Sequence, residues 1–487
     1  MEGAWFLALA LLILLWWSRN LRARLKLPPG PFPWPIVGSL FIVKEPLPIF
    51  FAELGRKYGP VVYFKLGMVP TVAINSAAAA REVLKSRDLE FASRPDLGNL
   101  RQISFDYNDL GVAPYGETWK LMRRVSATHL FTPSKLNTTA SVRHREVKAM
   151  IKNILDEGPE VVDLTAATNA AVVQGVVNLL VGTDDKSLGI DARSLNGIFE
   201  KAGEELLNVN LGDLFPFLRR FDVQGLERRF KYVVMPPIKS LMEKIIAHHK
   251  SSSREVEDFV DVLVNLNGED GLTHIQTIGL LSDFFIAGIN TSQTSIDFTL
   301  AELVRHPAIL SRAQKEIDQV VGSSRLVQES DLPRLPYLHA VIKESLRLHP
   351  PLPLLLPHHN PAASKIGEYD IPAKSTIFVN AWAIGRDPST WDRPLEFVPE
   401  RFLERDVKLT GDDFSLLPFG AGRRTCAGYL MAMRMLPLSV ATVIQAFDLA
   451  TLEGREVDMG ESTGGATRRN KNLMVSATPR LAKELYA

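Results

Sequence analysis

Cys426 is the one cysteine in 487 residues, and the residues around it can do chemistry. It stands in Phe419-Gly420-Ala421-Gly422-Arg423-Arg424-Thr425-Cys426-Ala427-Gly428, just ahead of the apolar stretch Tyr429 to Ala446. The glycines permit a tight loop whose backbone approaches a flat partner. A cysteine at a helix N-terminus feels the positive end of the macrodipole and accepts from backbone amides. Both effects favour the thiolate over a free thiol of pKa about 8.5. Arg424 can meet an anionic group. Thiolate, amides and guanidinium together suit an iron porphyrin, with sulfur to iron and arginine to propionate. A lone cysteine excludes internal disulfides and thiolate-rich zinc or iron–sulfur sites. A dinucleotide loop is the poorer reading, because the third glycine and a βαβ context are missing.

Three other segments carry candidate chemistry. Ala287-Gly288-Ile289-Asn290-Thr291-Ser292 lies inside a long helical pattern, Thr273 to His306. An interior glycine costs ~1 kcal/mol relative to alanine, which is reasonable where something flat must come close. A threonine hydroxyl can bond back to an earlier carbonyl, bend the helix and open a niche. Trp119-Lys120-Leu121-Met122-Arg123 places an indole N–H and a guanidinium on one helical face, both able to donate to a carboxylate. Glu344-Ser345-Leu346-Arg347 is an i,i+3 ion pair, followed later by Phe397-Val398-Pro399-Glu400-Arg401-Phe402.

Phe419, Gly422, Arg424, Cys426 and Gly428 stand at the spacing of the haem-binding loop of cytochrome P450 monooxygenases, and the sequence resembles that family from its proline-rich start to its C-terminus. The resemblance implies a mainly α fold with minor β, one large helical domain with small sheets, and haem b (iron protoporphyrin IX). It implies Cys426 as the metal ligand and Trp119, Arg123, His358, Phe419, Arg424 and Gly428 as further haem contacts. Glu344, Arg347 and Arg401 become a buried structural cluster under the haem-binding loop. Ala287, Gly288, Asn290 and Thr291 form the oxygen niche, with Thr291 helping to deliver protons. One position departs from the family pattern: Asn290 stands where an acid is usual, and an amide cannot relay protons by ionising. Asp283, two helical turns earlier on nearly the same face, reads as a solvated helix residue.

The resemblance further implies an NADPH-dependent P450 reductase as partner, because the chain carries no flavin or NADPH fingerprint. Lys120, Arg124 and Arg423 would contribute to its docking face. The implied substrate pocket comprises Leu110, Phe284, Ile289, Leu352, Leu354, Leu355, Leu356 and Gly465. Leu348-His349-Pro350-Pro351, Tyr369-Asp370-Ile371-Pro372 and Asp413 to Phe419 look like plant microsomal enzymes of secondary metabolism. Leu352 to His358 and Val457 to Glu461 are similar to p-coumaroyl ester 3-hydroxylases, and much of this is shared with flavonoid and ferulate hydroxylases. All of these hydroxylate a phenolic, phenylpropanoid-type ring. Thr463 to Ala466 and Ile103 to Leu110 depart from the ester hydroxylases. A terpenoid or alkaloid substrate is the alternative, as is an isomerase or dehydratase that does not activate oxygen.

These residues need a scaffold and an address. The chain is 23% charged and 46% hydrophobic, with 56 basic and 55 acidic residues, so it is globular and has no basic excess to draw nucleic acid. Ala4 to Trp17 is an unbroken apolar run flanked by Arg19, Arg22, Arg24 and Lys26. It predicts a transmembrane anchor with its basic flank over 1–26. The catalytic domain is then cytosolic on the endoplasmic reticulum membrane, in contact with lipid. Residues 27–36, dense in proline, predict a stiff hinge, and 37–487 a single catalytic domain. Val61 to Asn75 predicts a strand pair turning near Gly67. Arg143 to Glu157, Ile238 to His249 and Ala308 to Val321 predict helices, and a last helix follows Cys426.

Overall fold

The computed structural model describes residues 25–182, 192–206, 208–251, 258–411, 413–464 and 466–487. The predicted anchor therefore lies, up to residue 24, outside the described residues. The helices that position the site are α1 (Leu47–Tyr58), α2 (Glu117–Val125), α3 (Ala140–Glu157), α4 (Leu164–Val181), α5 (Met235–Ser251), α6 (His274–Arg305), α7 (Pro307–Val320), α8 (Pro336–Leu348) and α9 (Tyr429–Ala446). Strands β1 (Val61–Leu66) and β2 (Val69–Ile74) form the expected hairpin about Gly67. They continue into β4 (Ser375–Val379) and, beyond it, β3 (His358–Asn360) in the order β1-β2-β4-β3, with β2 and β4 parallel.

Helix α6 is the spine. Its 32 residues span about 48 Å at 1.5 Å per residue. It starts on a capping box: Thr273 Oγ1 accepts from Gln276 N, and Gln276 Oε1 accepts from Thr273 N. It stops at His306, and Pro307 opens α7 at a position where its missing N–H costs nothing. Residues Gln293 to Val304 of α6 are buried on every side. They pack against α4, α8 and α9 in one apolar core that includes Ile296, Leu300, Leu338, Val341, Val440 and Ile444. Helices α4 and α9 are long and apolar enough to cross a membrane, but most of each is buried inside the protein.

The proline-rich segment is not a free spacer. Tyr63 N donates to Pro29 O at 3.0 Å, and a Cβ on Gly30 would fall 1.9 Å from Tyr63 O. Trp34 and Gly38 exchange backbone hydrogen bonds, and Ser39 N donates to Lys65 O. Residues 29–39 thus lie on the edge of the four-stranded sheet. No helix forms over 27–39, as the proline count predicts, but composition does not say what that backbone leans on.

The Glu344 cluster is buried. Arg347 forks onto Glu344 at 2.7 and 2.8 Å, with neither side chain exposed. Arg401 Nε and Val398 N donate to the same carboxylate at 3.1 and 2.8 Å. The remaining Arg347 donors bind Gly385 O, Pro394 O and Glu396 O, tying the irregular stretch ahead of the Cys426 loop to α8. Arg347→Ala would strand a buried carboxylate and free three carbonyls. A loss of about 3–5 kcal/mol is expected, measured as unfolding free energy in urea. Lysine at this position is not expected to rescue it, because a point charge cannot fork.

Candidate functional site

A cavity of about 780 Å³ lies between the Cys426 loop and the middle of α6, with Cys426 on one wall and Ala287, Gly288, Asn290 and Thr291 on another. Loop shape follows from glycine. Gly420 and Gly422 both adopt φ near +66°, and a Cβ on Gly422 would fall 1.7 Å from Leu84 O. Cys426 N donates to Phe419 O at 2.9 Å, closing the loop, and the Phe419 ring meets Tyr429 edge-on at 5.1 Å. The Cys426 side chain opens into the cavity. Burial pushes its thiol above the ordinary value, while the Gly428 amide, Arg123 and the Tyr429 amide pull it down less strongly. This corrects the expectation that the loop alone favours thiolate. A coordinated metal ion removes that proton outright.

Five guanidinium groups line this cavity, and three of them, Arg94, Arg123 and Arg424, lie close enough to act on one another beside the Cys426 loop. Arg123 Nη1 donates to Thr425 O at 2.7 Å. Arg424 donates to Ala92 O and Ala113 O at 2.7 and 2.6 Å and stacks 4.4 Å over Trp119. Arg94, 6% exposed, donates to Gly111 O, Leu356 O and Pro357 O. Desolvation, then repulsion from Arg94, pushes Arg424 down to about 8, and desolvation pushes Arg94 to about 10. His358 is buried and donates through Nδ1 to Phe91 O. Desolvation, then the Arg94 charge, lowers it to about 3, so it is neutral. Crowded, desolvated cations around one cavity fit a group bearing carboxylates, as the propionates of a haem do. Sequence reading misses Arg94. Its one signal is an arginine inside the otherwise small and apolar run Phe91 to Pro95.

On the opposite wall, Thr291 Oγ1 donates to Ala287 O at 2.6 Å, the expected back-bond, and α6 remains helical through it. A Cβ on Gly288 would sit 3.5 Å from Val176, an ordinary contact, so no described protein neighbour requires glycine there. Asn290 Nδ2 donates to Ile286 O at 3.3 Å, and its Oδ1 accepts from Arg468 Nη2 at 2.6 Å. Asp283 is not the solvated residue the sequence suggests. Its Oδ2 accepts from Leu110 N at 2.6 Å and Gly111 N at 3.0 Å, and it lines the cavity beside Asp109.

Of the expected pocket residues, Leu110, Phe284, Leu352, Leu355 and Leu356 line the cavity. Ile289 and Leu354 do not. Ile289 is 1% exposed in the core with Val177 and Phe285, because it faces away from Thr291 on α6. Leu354 packs on the Phe50, Phe51 and Phe64 cluster. Gly465 lies outside the described residues. Phe131, Phe259 and Phe284 also line the cavity, and the Phe131 and Phe284 rings stand edge to face at 5.3 Å.

A family model described as Cytochrome P450 matches residues 28–477. The chain is 37% identical to a flavonoid 3′-monooxygenase of Arabidopsis thaliana, over 96% of this chain and 94% of that protein. It is also 37% identical, with the same coverage, to a flavonoid 3′-monooxygenase of Petunia hybrida. Among solved structures, a zebra fish cytochrome P450 with progesterone superposes with a TM-score of 0.78 at 27% identity, covering 90% of this chain and 100% of that one.

Proposed function

This chain belongs to the cytochrome P450 family, and from that premise we propose that it is a haem monooxygenase hydroxylating the phenolic ring of a flavonoid or a related phenylpropanoid. The observation that carries the substrate class is the aromatic wall. Phe131, Phe259 and Phe284 offer ring edges and faces, while Leu352, Leu355 and Leu356 supply the rest of an apolar lining. Two relatives over nearly the full length are named flavonoid 3′-monooxygenases.

When bound, the haem supplies the reduction of dioxygen and the transfer of one oxygen atom to a ring carbon, the other leaving as water. Cys426 Sγ is the protein ligand to its iron. Arg94, Arg123, Arg424 and Trp119 hold its carboxylates, and an anion there relieves the repulsion that depresses Arg424. The Thr291 hydroxyl passes a proton into the cavity and can do so only by leaving its bond to Ala287 O. Asn290 does not ionise. Its amide, oriented by Arg468, can only hold a water that donates to Thr291.

A separate reductase supplies two electrons. Its NADPH-dependent type and its docking on the side of the Cys426 loop are part of the proposal. Lys120, Arg124 and Arg423 sit there in surface pairs with Glu117, Asp270 and Asp88 that a partner's carboxylates can replace. Residence at the endoplasmic reticulum membrane is supported by exposed apolar side chains on three joined segments. Trp34, Ile36 and Phe41, then Met68, then Phe217 and Phe221 are exposed, with Met68 N donating to Leu214 O.

Microsomes holding this chain and a plant reductase, given NADPH and labelled oxygen, are expected to place one labelled hydroxyl on the ring of naringenin in preference to p-coumaroyl esters. Failure with every phenolic, beside an intact ferrous carbonyl spectrum, would sink the substrate class. Cys426→Ser is expected to abolish the red-shifted Soret band of that carbonyl complex; its survival would mean another residue ligates the iron. Asn290→Asp is expected to raise product formed per NADPH consumed, because a carboxylate can carry the proton that the amide only orients. Equal or lower coupling would show the amide to be suited to this reaction.

A further inference from the structure

The cavity wall between Ser104 and Val112 is held in an unusual way. Phe105, Asp106 and Tyr107 take φ of 52°, 63° and 64° in succession, a left-handed run of non-glycine residues and therefore strained. Something must hold so strained a segment. Part of the answer is local: Tyr107 N and Asn108 N donate to Ser104 Oγ and Ser104 O, and Tyr107 OH donates to Asp96. The rest comes from α6. Gly279 lets the loop close in, since a Cβ there would sit 1.8 Å from Asn108 O, and one turn on, Asp283 Oδ2 takes the Leu110 and Gly111 amides.

Asp109 lies against that carboxylate. It is 2% exposed; Oδ2 accepts from Val112 N at 3.1 Å, and Oδ1 has no donor among the described residues. A Cβ on Gly111 would stand 3.6 Å from both Asp109 Oδ2 and Asp283 Oδ1, so the two acids flank one backbone position. Asp109 Oδ1 is thus a buried oxygen without a donor, beside a second carboxyl, and two desolvated carboxylates side by side repel, so the arrangement favours one proton on the pair. Protonated, Asp109 no longer leaves a charged oxygen buried without a donor.

We propose that Asp109 and Asp283 share one proton and act as a positioning pair that holds the Ser104–Val112 loop, with Leu110, against α6, so that this cavity wall loosens as the proton is lost. The directions agree. Burial, then the Asp283 charge, raises Asp109 well above the carboxylate range, and burial raises Asp283 to about 6. The other charged groups facing Asp109 are Arg94, on the segment after Phe91, and Arg424 of the Cys426 loop, and both favour ionisation. A haem whose carboxylates occupy these two arginines shields that pull, so the pair keeps its proton best in the loaded protein.

The sign follows from linkage. With the loop closed, the pair binds a proton that solvated carboxyls give up near pH 4. Closure is therefore strongest below about pH 4 and is lost as pH rises from there through the raised values, that of Asp283 being about 6. Exchange of the Leu110 and Gly111 amides in the haem-loaded full chain reads this directly. After correction for the intrinsic rate, their protection is expected to fall at least roughly tenfold per pH unit between about 4 and 6. In Asp109→Asn the amide donates without titrating, so only Asp283 is left to titrate and protection is expected to persist with a clearly shallower slope than in the unmodified chain. Flat protection in the unmodified chain, or an equal slope in Asp109→Asn, overturns the proposal. The carbonyl spectrum reports whether the variant holds haem, and if it does not, the slope in the unmodified chain still decides. The inference rests on this cavity being the substrate cavity. Exchange is measured without substrate, so failure of naringenin to bind would sink the phenolic reading and leave the pair standing.

Discussion

Positive charge held out of water around one cavity is the constraint from which the rest of this structure follows. Arg94, Arg123 and Arg424 converge on it, and each forms hydrogen bonds only to backbone carbonyls among the described residues. Carbonyl dipoles satisfy the N–H groups but leave the net charge uncancelled, and burial, then the Arg94 charge, brings Arg424 down to about 8. An anionic cofactor completes the electrostatics of the fold, so haem uptake and native stability are coupled. The arginines also do mechanical work. Arg424 spans Ala92 and Ala113, and Arg94 joins Gly111 to Leu356 and Pro357, so the group that binds the cofactor also assembles the cavity walls.

Rigidity is distributed unevenly around the site. On the thiol side, Glu344 is saturated by Arg347, Arg401 and the Val398 amide, and α6, α8 and α9 form one dry core. That side must hold one sulfur at one position. The substrate side is built from backbone in costly conformations. Phe105, Asp106 and Tyr107 are left-handed, and Leu355, another lining residue, has φ of 53°. Such segments stay only where neighbours hold them, so modest changes in a few hydrogen bonds can reshape that wall without touching the core.

Asn290 shows how a single substitution propagates. Its Oδ1 accepts a guanidinium N–H from Arg468, a contact that an acid would make as an ion pair. With an amide, the contact survives and the negative charge does not. The same wall holds the Asp109 and Asp283 acids two turns away, in a setting that stabilises the neutral form rather than the ion. The polar groups beside the niche thus carry less negative charge at neutral pH than their residue types suggest.

The sequence by itself determined the parts whose physics is local. A glycine-flanked cysteine before an apolar stretch, the β1–β2 hairpin and the Glu344/Arg347 spacing are each readable over a few residues, because turns and i,i+3 faces depend on near neighbours. Tertiary structure decided what spacing does not encode. Ile289 shares its segment with Thr291, yet points into the core, and Leu354 leaves the cavity for a phenylalanine cluster between two residues that stay. Arg94 and Asp109 stand out in no motif; they matter because folding brings chain segments more than 170 residues apart onto one wall. Asp283 is the sharpest case. An aspartate on a helix is solvated by default, and here only the close approach of a distant loop at Gly279 makes it a buried acceptor, since burial belongs to the assembled pair of surfaces and to neither segment alone.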